Sequence, residues 1–205
     1  MNRLVVATHN AKKGGEMLHI LGARFPHLTI LTLNDFPGAP EPEETGTTYA
    51  ENAMIKAESA ALVTGEWCVA DDAGLEIDAL DGQPGLYSKR FLGEELPFAD
   101  KMRWILNELA ETPESARGAR FRVAVALART DEQTQVFEAT CEGRIAHVMS
   151  GSGGFGYDPI FFLPELGRTM ADLSAEEKHQ VSHRGKVLRV FGDYLEASIH
   201  GRMEA

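Results

Sequence analysis

Two acidic pairs, Glu43-Glu44 and Asp71-Asp72, carry the residue types best suited to chemistry on a polyphosphate. A Mg²⁺ ion bound with a triphosphate takes one or two carboxylates, phosphate oxygens and waters, so one acid from each pair would suffice. Neighbouring strand side chains point to opposite faces, so Asp71 and Asp72 are not expected to face one site. Glu43-Glu44 also fits a plain solvated loop. Thr8-His9-Asn10-Ala11-Lys12-Lys13 offers complementary donors: a turn entering a helix exposes backbone N–H groups, and hydroxyl, amide and ammonium groups add to them. The same residues fit a simple helix cap by Asn10 with its lysines in water. Gly151-Ser152-Gly153-Gly154-Phe155-Gly156 has the spacing of a dinucleotide loop, but Tyr157-Asp158-Pro159 follows where that loop needs a helix, so this reading is rejected. Such a turn can instead set an aromatic face of Phe155 or Tyr157 against a purine, with Asp158 at its edge, or it is a tight turn with two core aromatics. Lys178 and Ser182-His183-Arg184 bring cations to a helix start.

The elements that must position these groups follow from hydropathy. Leu4-Val5-Val6-Ala7 reads as a buried strand that turns into a helix near Ala11, with Gly14-Gly15 predicting an irregular helix start. A second apolar stretch over Leu28–Leu33 leads to a Pro- and Glu-rich loop, and the capping-box spacing Thr48 to Glu51 opens a helix running to about Val63. Trp67-Cys68-Val69-Ala70 predicts a strand delivering Asp71-Asp72 at its carboxyl end, where open α/β sheets hold ligands. A helix from Phe98 to Leu109, an antiparallel pair over Phe121–Ala128 and Gln135–Cys141, a short strand at Ile160-Phe161-Phe162, a capping box at Ser174 and a final helix complete the chain. The reading is a single α/β domain over residues 1–205 with a mixed sheet.

Bulk properties exclude several classes. A net charge of -11 opposes a surface that coats long nucleic acids, although local cations can still hold a small phosphate ligand. No apolar stretch approaches the roughly 18 residues of a membrane span, and the N-terminus lacks an export pattern, so a soluble cytoplasmic protein without a membrane partner is expected. Cys68 and Cys141 form no CxxC pair, and no zinc-like histidine spacing occurs. GxxxxGK[ST], GxSxG and the kinase catalytic segment are absent.

Taken in order, Thr8–Lys13, Glu43-Glu44-Thr45-Gly46, Glu51-Asn52-Ala53, Lys56-Ala57, Ala70–Gly74, Pro84–Ser88, Gly153–Pro159 and Ser182-His183-Arg184 resemble the inosine and xanthosine triphosphate pyrophosphatase family over nearly the whole chain. The resemblance implies a two-lobed α/β fold around a long mixed β-sheet with a central substrate cleft, a homodimer, and Mg²⁺-dependent hydrolysis of ITP, dITP and XTP to monophosphate and pyrophosphate. Matched position by position, it implies that Thr8, Asn10 and Lys13 hold the triphosphate, with His9, Ala11 and Lys12 in the same turn and Lys56 nearby. Glu44 and Asp72 are the implied metal ligands, and Asp72 also the base. Phe155, Gly156, Tyr157 and Asp158 would frame the purine, and Lys178, His183 and Arg184 complete recognition. His9 replaces a usual small residue, either crowding the turn or adding a donor. Ala73 replaces a usual serine, leaving that position only a backbone role. Two rivals stay open: a pyrophosphatase for modified pyrimidine or 7-methylated nucleotides, and a nucleotide-binding regulator that does not hydrolyse its ligand.

Overall fold

The computed structural model describes residues 2–203. Leu4, Val5 and Val6 form the buried strand β1 (Arg3–Val6), which has parallel neighbours on both sides, β2 (Thr29–Thr32) and β3 (Trp67–Ile77). Between β1 and β2 lies α1 (Ala11–Arg24), and α2 (Tyr49–Thr64) precedes β3. The rest comprises α3 (Phe98–Glu108), β4 (Gly118–Arg129), β5 (Glu132–Ile145), β6 (Phe161–Leu163), β7 (Arg168–Thr169), α4 (Ala175–Val181) and α5 (His183–Met203). The seven strands form one sheet in the order β2-β1-β3-β4-β5-β6-β7, mixed because β6 runs antiparallel to both β5 and β7.

The chain forms two compact units. The first comprises the chain to Asp72, Val123–Ala139 and the segment from Arg184 onward; the second comprises Ala73–Arg122 and Thr140–His183. In the first, Met17 and Leu21 of α1 and Val187, Leu188 and Phe191 of α5 are buried. Their three- and four-residue spacing gives each helix one apolar stripe. The second has a continuous core that includes Leu75, Ile77, Ile105, Phe121, Tyr157 and Phe161.

Local signals are realised where capping chemistry decides. Thr48 accepts from Glu51 N while Glu51 reaches back to Thr48 N, and Ser174 with Glu177 repeats the box at α4. Two expectations are corrected. The helix α1 is regular from Ala11 despite Gly14-Gly15, because the Asn10 side chain accepts from both Lys12 N and Lys13 N and supplies a full cap. Asp71 and Asp72 lie in the middle of β3, not at its carboxyl end, because Leu75 and Ile77 flanking Glu76 continue the buried, period-two pattern. The paired runs are also longer than hydropathy suggests, leaving only residues 130 and 131 between β4 and β5.

Candidate active site

In the first unit, β1 ends in a turn built by short side chains. Thr8 Oγ1 accepts from Asn10 N at 3.1 Å, and Asn10 Oδ1 caps α1. The His9 ring nitrogens lie 3.3 Å from Asn34 Oδ1 and 3.2 Å from the Ala39 carbonyl, so His9 ties this turn to the loop after β2. Asn10 thus realises the capping reading. Lys12 is exposed, whereas the Lys13 side chain, 22% exposed, points toward Asp71 at 3.6 Å.

Asp71 is the centre of a buried ionic cluster. Arg184, at the start of α5, donates to Asp71 Oδ2 from Nε at 3.2 Å and Nη2 at 2.7 Å, while its Nη1 donates to Glu16 Oε2 at 2.6 Å. The Arg184 and Asp71 side chains are 2% and 1% exposed, so these bonds act in a low-dielectric setting. Burial alone would raise the Asp71 pKa, but Lys13, Arg184 and Lys56 outweigh it and hold the carboxyl well below the ordinary carboxylate range. Burial lowers the Lys13 pKa despite Asp71.

Asp72 has a different set of partners, as strand alternation requires. Lys56 Nζ, from α2, donates to Asp72 Oδ1 at 3.0 Å and to Glu44 Oε1 at 2.6 Å. Asn52 Nδ2 donates to Asp72 Oδ2 at 3.3 Å, and Asn52 Oδ1 accepts from Gly46 N at 2.8 Å. A Cβ at Gly46 would lie 2.6 Å from that oxygen, so only glycine permits this approach. Burial raises the Asp72 pKa and Glu44 adds to it; Lys56 and Lys13 oppose without reversing the shift. Burial opposes the charged form of Lys56, but Asp72, Asp71 and Glu44 prevail and raise its pKa.

These contacts bear on a metal. Among the described residues no group of three or more His, Cys, Asp or Glu side chains is arranged around one point. Glu44 and Asp72 nevertheless both contact one cation, the Lys56 ammonium, and two carboxylates meet the ordinary protein share of a Mg²⁺ site completed by water and phosphate. The donor set fits that ion.

In the second unit, the glycine turn takes positive φ at Gly151, Gly154 and Gly156. Asp158 Oδ2 accepts from Phe155 N at 2.8 Å and from Lys178 Nζ at 2.8 Å, and Lys178 Nζ sits 4.6 Å from the Phe155 ring centroid. A side chain at Gly154 would strike the Asp158 carboxylate. Tyr157 is buried, with its hydroxyl donating to the Ser88 carbonyl at 2.9 Å, while Phe155 and Gly156 are half-buried. Burial pushes the Tyr157 phenol up, so it stays a donor. His183 stacks on Phe121 at 4.7 Å and 17°.

Each of Lys178, His183 and Arg184 has a neighbour within its own unit. Lys178 faces Asp158, Arg184 faces Asp71 and Glu16, and His183 lies against an aromatic ring. Residue types alone did not single out Glu16 or Asn52. The available signal was helical spacing: Glu16 follows Lys13 by three residues, and Asn52 precedes Lys56 by four.

A model of the Ham1 family matches residues 4–194. The chain belongs to the Ham1 family. It is 45% identical over 202 residues to a dITP/XTP pyrophosphatase of Geobacillus kaustophilus, covering 98% of each chain. It is 46% identical over 196 residues to the protein of that name from Halalkalibacterium halodurans, covering 96% of this chain and 100% of the relative. Among solved structures, the Ham1 protein of Staphylococcus aureus superposes with a TM-score of 0.86 at 37% identity, covering 96% of this chain and all of that one. A HAM1 protein from Coxiella burnetii gives 0.86 at 38% identity, with the same coverage. This Ham1 chain therefore shares fold and sequence with that family from end to end.

Proposed function

We propose that this chain is a nucleoside-triphosphate pyrophosphatase that hydrolyses non-standard purine nucleotides, dITP, XTP and ITP, to the monophosphate and pyrophosphate. The supporting observation is the array in which Lys56 bridges Glu44 and Asp72 beside the Lys13–Asp71–Arg184 cluster. It is supported too by relatives named dITP/XTP pyrophosphatase that match nearly end to end. Residues 1–205 act as one catalytic domain in this reading.

Water attacks the α-phosphorus in line; a P–O bond to that water forms as the bond to the bridging oxygen breaks, and pyrophosphate leaves. Asp72 accepts the water proton as a positioned general base. Glu44 and Asp72 would hold Mg²⁺, which when bound neutralises phosphate charge and acidifies water. Thr8, Asn10, Lys13 and the backbone of Ala11 and Lys12 orient the triphosphate, and Lys56 offsets its charge. His9 braces this turn, and Ala73 contributes backbone alone. Phe155, Gly156, Tyr157 and Asp158 frame the base, with Lys178 and His183 supporting that frame. The Arg184 nitrogens donate to Asp71 and Glu16, which supports a role in holding Asp71 more than direct contact with substrate.

A donor aimed at O6 of a 6-oxo purine would be left unpaired by adenine, giving selectivity. A panel of ITP, XTP, ATP and modified pyrimidine nucleotides with Mg²⁺, scored for pyrophosphate, tests the reading. Pyrophosphate from ITP and XTP in preference to ATP is expected. Equal turnover of ATP, or orthophosphate as first product, would overturn it. The same reading assigns a cytoplasmic location and a homodimer. Buried, unbridged Cys68 and Cys141 agree with a reducing compartment, and among the described residues no helix is long and apolar enough to cross a membrane. Light scattering at micromolar concentration reads the dimer directly; a monomeric mass would reject it.

A further inference from the structure

Lys101 of α3 is 1% exposed, and burial lowers its pKa although the Glu94 carboxylate opposes that shift. Its contacts are the Lys89 carbonyl, to which it donates, and the Phe98 ring, whose centroid lies 5.2 Å away. Burying an ammonium opposes folding, and the carbonyl and the ring help to offset that cost. The Phe98 ring meets Tyr157 edge-on, with centroids 5.1 Å apart and planes at 84°. Its Cε1 also lies 3.8 Å from the place a Cβ on Gly156 would occupy. Tyr157 in turn donates to the carbonyl of Ser88, the residue before Lys89. The contacts therefore close a circuit within the second unit, from Lys101 to the 88–89 backbone, to Tyr157, to Phe98 and back to Lys101.

This circuit fixes Tyr157 from two sides. Its hydroxyl is anchored on a backbone segment that Lys101 holds, and its ring is anchored on an aromatic that Lys101 also holds. Neither Phe98 nor Lys101 belongs to the glycine turn, and Phe98 stays 37% exposed, a large apolar side chain retained at the surface beside that turn. We propose that Lys101 and Phe98 are positioning residues that set Tyr157, and through it the 154–158 turn, and so govern affinity for the purine without acting on the phosphates. The inference rests on the proposed role of that turn as the frame for the base.

The test compares wild type with Phe98→Leu, Phe98→Tyr and Lys101→Met, measuring kcat and KM for ITP with Mg²⁺ and the inhibition constant of inorganic tripolyphosphate, which has no base. For Phe98→Leu and Lys101→Met the KM for ITP should rise about fivefold, the scale of one aromatic or cation–ring contact. Their kcat should stay within about twofold and tripolyphosphate inhibition should be unchanged; Phe98→Tyr, which keeps the ring, should match wild type. Should Lys101→Met fail to fold, the exposed Phe98 position still carries the test. An unchanged KM in Phe98→Leu, or a parallel loss of tripolyphosphate affinity, would overturn the inference while leaving the proposed activity standing. Failure of the activity itself would appear in the unmutated protein, as no preference for ITP over ATP, and the inference would fall with it.

Discussion

Each unit buries a lysine against an aspartate, but the two settings differ in the number of charges they gather. Lys178 donates to Asp158, which also accepts from the Phe155 backbone N–H. Around Asp71 and Asp72, three cations, Lys13, Lys56 and Arg184, face four carboxylates, Glu16, Glu44, Asp71 and Asp72. A buried pair that also accepts from a turn's backbone holds that turn in shape; four carboxylates gathered in one array invite a further cation and leave an acid able to take a proton. The contrast separates architecture from chemistry more clearly than residue type does.

The largest expected effect breaks the carboxylate-rich array. Asp72→Asn should lower kcat by at least about two orders of magnitude while nucleotide affinity stays within about tenfold, the signature of losing a group needed in the transition state. Turnover near wild type would show that Asp72 is not the base. Next, Asp71→Asn should destabilise the fold by about 4 kcal/mol in chemical denaturation, because Arg184 is left buried with a weakened partner. Its pH dependence has a definite sign. Asp71 is held below its unfolded-state pKa by Lys13, Arg184 and Lys56 against the opposing effect of burial, so its ionised form contributes stability fully above about pH 4. That contribution is lost as pH falls through the folded-state value. The stability gap between wild type and variant should thus be flat from neutral to mildly acid pH and narrow only in stronger acid; a gap that closes near pH 6 would contradict this.

The Lys178–Asp158 pair should respond differently. Asp158→Asn should cost about 3 kcal/mol, since Lys178 loses its buried counterion, and should raise KM for ITP while lowering kcat far less than Asp72→Asn does. A kcat loss equal to that of Asp72→Asn would erase the distinction between the units. The smallest effect concerns Cys68, buried in β3 three residues before Asp71. Burial pushes its thiol up to about 11, so about one molecule in a thousand carries the thiolate at pH 8. Iodoacetamide should label Cys68 in the native protein far more slowly than in urea; equal rates would show that the wall behind the array is open.

How much of this was legible in the sequence depended on how far apart the partners stand. Asn10 as a cap, Thr48 with Glu51 and Ser174 with Glu177 act over two or three residues, and each was readable from spacing. The alternation that sends Asp71 and Asp72 to different partners follows from the pleat and was equally readable. The Arg184–Asp71 bond joins residues 113 apart, and no local rule pairs them. For the same reason residue type marks the cations near the end of the chain without showing that Lys178 and Arg184 each face a carboxylate supplied by another element. The end of β3 was misplaced because two acids in a row look like a strand terminus, while the buried neutralisation that lets a strand continue through them is tertiary.

The central claim is that the carboxylate-rich array directs water to the α-phosphorus. Hydrolysis of ITP in water enriched in oxygen-18, with mass analysis of both products, reads the attacked atom directly. The label should appear in the monophosphate and not in pyrophosphate. Label in pyrophosphate, or in released orthophosphate, would contradict the account.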